Sequence, residues 1–193
     1  MFSFNHKKAT QALNYFAIKS GGNIDTLKAI KLIWLADRLH LRKYGRMITN
    51  DEYYAMKLGP VASSTYNIIK KQILPDQYLE YSAKYIIPTD VQHYNFESVH
   101  PVNDKVFSKT DLNVLQEVFD KFSNMTKWQL SDYSHLYDEW VRFKDQLELD
   151  PEARYPIEID DFFKETYLGD RVFNQSVEVL ECVKEIYKES AAG

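Results

Sequence analysis

"IDTLKAIKLIWLADRLHLRKYG", residues 24–45, is the stretch that decides the fold. Leu27, Ile30, Ile33, Trp34, Leu35, Leu39 and Leu41 sit at helical spacing, yet they cover more than one stripe. A helix that is apolar on most of its sides belongs inside a protein. Asp25 reads as the N-cap, because its carboxylate can accept a free N–H of the first turn. Gly45 reads as the stop, because glycine readily takes the left-handed conformation that ends helices. Asp37 is the anomaly. At about 100° per residue it projects between Ile33, Trp34 and Leu41, with Ile30 one turn further on. An isolated buried charge costs too much. The sequence therefore predicts partners for Asp37, with Lys57, a hydroxyl or the N–H groups near Gly59 as the candidates.

Upstream, "HKKATQALNYFAIKS" spaces Ala9, Ala12, Leu13 and Phe16 as a first helix, and "SGGN" ends it. Downstream, "RMITNDEYYAMKLGP" reads as extended chain around Tyr53 to Leu58. Pro60 fits the first turn of a following helix, supplied by "VASSTYNIIKKQ". "YIIP" and "QHYNFES" read as short strands, the second with Tyr94 and Phe96 on one face and His93, Asn95 and Glu97 on the other. Ser108 to Asp111 fits a capping box that opens a helix carrying Leu112, Leu115, Phe119 and Phe122. "NMTKWQLSDYSHLYDEW" reads as helix from Asn124 or Thr126. "LDPEARYPIEI" reads as a surface loop, "DDFFKETYLGD" as a short helix and "RVFNQSVEVLECVKEIYKES" as a long one. The expected fold is mainly α with a small antiparallel β-sheet. It is one compact helical domain over 1–193, built around a central buried helix at about 25–44.

The 24 basic and 28 acidic residues leave a net charge of −4. No basic footprint for nucleic acid is visible, so direct nucleic-acid binding is not expected. The one cysteine, Cys182, allows neither a disulfide framework nor a four-thiolate zinc site within one chain, and it suits a reducing compartment. The start lacks an apolar leader core, and no apolar run approaches the roughly 20 residues of a membrane span. A soluble, cytoplasmic protein is the expectation.

Lys57 beside Ser63, Ser64 and Thr65 could suggest a nucleophile with a basic neighbour. The G-x-S-x-G elbow is absent, and hydroxyls in a first helical turn ordinarily satisfy free N–H groups. "KLGPVASS" has one glycine and a proline that deletes a donor, which argues against a phosphate cradle. His6, His40, His93, His100 and His135 form no H-E-x-x-H and read as surface positions. The acidic clusters "TNDEYY" and "EIDD" suit element starts better than a calcium site. No catalytic set, metal or cofactor is expected.

The run from Lys28 to Tyr66 resembles the Panacea domain of SocA-like antitoxins and phage-associated proteins. The resemblance rests on Lys31, Leu32, Trp34, Ala36 and Asp37; on Tyr44 and Gly45; on Ile48, Thr49 and Asp51; and on Ala55, Gly59, Pro60, Val61 and Tyr66. Trp34 stands where tyrosine or phenylalanine is usual, and Met47 where proline is usual. Weaker similarity continues through "SKTDLNVLQEVFDKF" and "TKWQLSDYSH". The resemblance implies a mostly helical bacterial or phage domain without established catalysis. It implies antitoxin action, in which the domain binds and neutralises a toxic protein encoded beside it. In some members it implies delivery of that toxin to a Clp-type protease. Some relatives add a helix-turn-helix domain, for which this chain has no spare length. The segment Tyr54–Lys70 is then a strand–turn–helix corner against the Asp37 helix. Tyr53, Tyr54, Ser63, Ser64 and Tyr66 are its candidate partner contacts. Two rivals remain: a small enzyme using Asp37, Lys57 or His40 in a pocket, and a DNA-binding regulator, which the acidic balance disfavours.

Overall fold

A computed structural model describes residues 3–164, 170 and 172–192. Helix α1 (His6–Lys19) is capped by Asn5, and strand β1 (Asn23–Asp25) leads into α2 (Thr26–Tyr44). Asp25 accepts from the Lys28 N–H at 3.1 Å, and Gly45 closes α2 at φ +66°. The helix is as central as its sequence demands. Leu32, Trp34, Leu35, Leu39 and Leu41 are fully buried, and α1, α5, α6 and α9 all pack against it. Its charged residues Lys31, Asp37, Arg38, His40 and Arg42 are buried too, so each needs partners from elsewhere in the chain.

After α2 come β2 (Tyr53–Met56), β3 (Gly59–Ala62) and α3 (Ser63–Lys70). Helix α4 (Asp76–Ala83) precedes β4 (Ile86–Pro88) and β5 (Asn95–Ser98). Helices α5 (Lys109–Phe122), α6 (Lys127–Ser134), α7 (Asp138–Val141) and α8 (Lys144–Leu149) follow, then β6 (Tyr155–Pro156) and α9 (Val177–Ala192). Helix dominates, as expected, but the strands form two antiparallel sheets instead of one. Their orders are β1-β5-β4 and β3-β2-β6. In the first, Ile24 faces a fully buried Phe96. In the second, Tyr53 pairs with Ala62 and Ala55 with Tyr155.

Five local expectations need correction. Pro60 is not in the first turn of a helix: it lies in β3 opposite Ala55, Val61 and Ala62 continue that strand, and α3 starts at Ser63. Strand β5 starts at Asn95, because His93 takes φ +55° and turns the chain; Tyr94 therefore leaves the Phe96 face. The loop "LDPEARYPIEI" contains β6, held by the Ile157 N–H on the Tyr53 carbonyl (2.9 Å) and by Tyr155 stacked on Phe143. The helix after Thr126 breaks at His135 and restarts at Asp138. His135 stacks on Trp140 at 3.6 Å, and the Trp140 indole donates to the Met56 carbonyl at 2.8 Å, which bends the chain toward β2. "DDFFKETYLGD" begins with a 3-10 turn, Ile159–Phe163, and positions 165–169 lie outside the described residues.

The expected capping box of α5 is present, and it does more than cap. Asp111 accepts from the Ser108 N–H (2.9 Å), from Lys8 of α1 (2.7 Å) and from Arg46 after α2 (2.8 Å), and its other near neighbour is His40 (3.1 Å). His40 is thus fully buried, not a surface histidine; its Nδ1 lies 2.8 Å from the Arg46 carbonyl. Burial alone would raise the Asp111 carboxyl, but His40, Lys8 and the Ser108 N–H outweigh it and hold the group well below the usual carboxylate range. The unfolded chain then binds the proton more readily than the folded one. The stabilisation is present above the unfolded value near 3.8 and is lost as pH falls below it. Asp111→Asn should lose about 2–3 kcal/mol at neutral pH and flatten the acid limb of a stability–pH curve. An unchanged acid limb in urea titrations would refute the linkage.

Candidate functional site

The site begins at Asp37. Its Oδ1 accepts the N–H groups of Ile48 (2.8 Å) and Thr49 (2.9 Å). Its Oδ2 accepts the Tyr53 hydroxyl (2.8 Å) and the Thr49 hydroxyl. Burial pushes the carboxyl up, and these bonds work against it. A hydroxyl was among the expected partners, but Lys57 and the Gly59 region are not partners. Lys57 is exposed at the hairpin tip, so the structure does not bring it to Asp37. The enzyme pocket imagined around Asp37, Lys57 and His40 is therefore not assembled.

Asp51 plays the part expected of the hydroxyls. The N-cap of α3, Ala62, offers no side-chain acceptor. Asp51 instead accepts the N–H groups of Ser64 (2.9 Å) and Thr65 (2.7 Å) and the Thr65 hydroxyl (2.7 Å). A carboxylate at a helix N-terminus satisfies free donors and complements the dipole. Burial raises its pKa to about 6 against those bonds. Ser63 Oγ accepts from Arg154 at 3.0 Å, and the same guanidinium lies 3.9 Å over the Tyr54 ring.

The β2–β3 hairpin turns at Lys57 and Leu58. Gly59 takes φ +100°, and a Cβ there would lie 2.1 Å from Ser134 Oγ and 2.6 Å from Lys31 Nζ. Both conditions require glycine. Lys31 is fully buried and donates to the Pro60 carbonyl at 2.8 Å, and burial drives its amine well below the usual lysine range. Ser131 donates to the Leu58 carbonyl at 3.0 Å. With the Trp140 bond to Met56, three helices grip the hairpin by its backbone carbonyls. The tip side chains are left to face outward. Of the other motif residues, Ala55 and Trp34 are buried, the latter edge-on to Tyr137. Val61 and Tyr66 are half-buried, and Tyr44 is exposed against His40.

Those outward side chains line a groove of about 330 Å³ between the hairpin tip, the start of α2, α3 and the start of α6. Leu27, Ile30, Met56 and Val61 line it beside the aromatic rings of Tyr66, Tyr94 and Trp128. Tyr94 is 62% exposed and Trp128 56%. Sequence reasoning missed both. Trp128 had a signal: two residues before the buried Leu130, it points to the opposite side of α6. Tyr53 leaves the set of partner contacts, because it is buried on Asp37 and Phe162. Tyr54, Ser63, Ser64 and Tyr66 keep partial exposure.

Residues 30–141 match the family model described as antitoxin SocA-like, Panacea domain. The chain belongs to this family. No curated protein and no solved structure matches it. The matched Panacea span holds the Asp37 knot, the Gly59 corner and most of the groove. An antitoxin-type role follows from that membership. Among the described residues, no helix is long and apolar enough to cross a membrane, and no group of three or more His, Cys, Asp or Glu could hold a metal ion.

Chain beyond the matched Panacea span is tied back to α2. Arg42 donates to the carbonyls of Phe162 (2.9 Å), Lys164 (2.8 Å) and Phe173 (3.0 Å) and to Gln175 Oε1 (2.9 Å). Arg38 Nε meets Glu139 Oε1 at 2.7 Å, with both side chains buried, and its guanidinium lies against both rings of the edge-to-face pair Tyr137 and Phe173.

Proposed function

We propose that this protein neutralises a cognate protein toxin, encoded by a neighbouring gene, through direct contact and without chemistry of its own. Residues 1–193 act as one unit in this reading, in the cytoplasm of a bacterium or of a cell carrying a phage. The observation that carries it is the half-exposed aromatic groove set on a backbone-anchored corner. Large rings that the core does not use supply contact area at low entropic cost. Lys31, Trp34, Asp37, Tyr44, Gly45, Ala55, Gly59, Pro60 and Val61 build the corner. Tyr54, Ser63, Ser64 and Tyr66 lie within or beside the contact face.

Co-expression with the adjacent gene tests this reading. The neighbour should be toxic alone, harmless with this chain and recovered with it in a pull-down. Gly59→Trp should abolish both rescue and recovery, because the corner cannot close around an indole. A harmless neighbour, or rescue without complex or toxin loss, would refute the direct-contact reading and favour an enzymatic one.

A further inference from the structure

We infer that the groove receives an apolar or aromatic side chain from a toxin segment flanked by carboxylates. This rests on the antitoxin reading and adds the chemistry of the partner.

The first argument is charge. The chain as a whole carries −4, yet the groove is lined by Lys57, Lys70 and Lys127 against Asp25 and Glu152. Asp25 is already engaged, since its Oδ1 accepts the Lys28 N–H and its Oδ2 the Lys127 ammonium at 2.7 Å. Lys70 donates to the neutral carbonyls of Gln92 (2.6 Å) and His93 (2.9 Å). Asp90 and Asp25 act on it only through space, and Asp90 spends its oxygens on the N–H groups of Tyr94 and Asn95. The Lys57 side chain makes no hydrogen bond or ion pair among the described residues. Once Asp25 is paired with Lys127, Lys57 and Lys70 face only the Glu152 carboxylate among the groove's lining, so the rim keeps a net positive charge. A basic segment would be repelled there, and an acidic one attracted.

The second argument is how the cations are held. Lys70 lies 4.9 Å from the centre of the Tyr94 ring and 5.6 Å from that of Tyr66, and Lys127 lies 5.3 Å from that of Trp128. An ammonium over a ring face is held by the quadrupole of that ring. Lys70 and Lys127 are therefore positioned before a partner arrives, which lowers the ordering cost of binding, while Lys57 stands exposed at the hairpin tip. Between them the apolar wall of Leu27, Ile30 and Val61 offers room for one large anchoring side chain, the arrangement in which hot-spot residues concentrate their contribution.

The test measures affinity between the purified chain and the product of the adjacent reading frame, inactivated in its own active site. Trp128→Ala and Lys57→Glu should each weaken binding at least tenfold without changing the thermal midpoint. Lys84→Glu, the same charge change at an exposed lysine outside the groove, should stay within twofold. Added salt should weaken the wild-type complex more than the Lys57→Glu complex. Replacing one carboxylate of the bound toxin segment with lysine should restore binding to Lys57→Glu. If the wild type binds and both groove variants stay within twofold of it, the groove proposal falls while the antitoxin reading stands. If the wild type does not bind, both fall. The proposal also falls if Trp128→Ala dissolves a dimer of this chain in sedimentation, or if a short oligodeoxythymidylate occupies the groove and excludes the toxin.

Discussion

Asp37→Ala should lower the unfolding free energy by about 3–5 kcal/mol, the range in which buried donors stripped of a charged acceptor fall. Four donors converge on this carboxylate: the N–H groups of Ile48 and Thr49 and the hydroxyls of Thr49 and Tyr53. None of these residues has appreciable exposure to water. Alanine leaves all four donors facing an apolar gap, and each unsatisfied buried group costs about 1–3 kcal/mol before relaxation. Thr49 can turn its hydroxyl elsewhere, which trims the total. The two N–H groups cannot turn, because they belong to the loop that carries the chain from α2 to β2. Asp37→Asn should lose roughly half as much, since its one carbonyl oxygen still accepts while its NH₂ meets donors. The measurement is the urea midpoint at constant m, together with amide exchange at Ile48 and Thr49. A midpoint shift worth less than about 0.5 kcal/mol would show that the four bonds are dispensable.

This carboxylate also marks the line between what was legible in the sequence and what was not. Burial of Asp37 follows from helical spacing alone, because Ile33, Trp34 and Leu41, at 3 and 4 residues from it, are apolar. Its partners do not follow, since the Ile48–Thr49 loop has no periodicity to give its direction. The same holds for Asp51, whose bonds to Ser64 and Thr65 span more than three helical turns of sequence. Local devices were readable: the Asp25 cap, the Gly45 stop and the Ser108 capping box each act within a few residues. Strand β6 was not readable, because two residues including a proline carry no alternation. Nor was the break between α6 and α7, where a His135–Trp140 stack overrides a continuous helical pattern. The groove is the extreme case. Tyr66 stood in the motif and Lys57 was singled out beside it, but Tyr94, Lys70 and Trp128 reach the groove from separate elements, and only the fold makes them neighbours. The arginines Arg38 and Arg42 were overlooked despite a usable signal: both are charged residues on a helix apolar on nearly every side.

Arg38 leads to the second large effect. Glu139→Ala should cost about 3–5 kcal/mol, because it strands a buried guanidinium. The pair is held by one bond, Nε to Oε1 at 2.7 Å; Arg38 NH1 and Glu139 Oε2 are buried and make no hydrogen bond among the described residues. Such a contact does not recover the full cost of taking two charges out of water. Replacing both partners with apolar groups of similar size removes the attraction and that cost together. The double variant Arg38→Met/Glu139→Leu should therefore be more stable than Glu139→Ala alone, with a coupling of at least about 1 kcal/mol in a double-mutant cycle. The rings of Tyr137 and Phe173 set the limit of the recovery. They sit 4.5 and 4.4 Å from the guanidinium carbon and would pack against a methionine nearly as well, while losing the cation–π attraction. Phe173 lies outside the matched residues 30–141, so the cycle also tests how the later chain is held. If Arg38 fastens that chain through its charge, the double variant should keep its stability yet show faster amide exchange across 172–192. If packing alone fastens it, exchange there should stay at the wild-type rate. A double variant as unstable as Glu139→Ala would mean that the ion pair repays its desolvation, and the predicted sign of the coupling would be wrong.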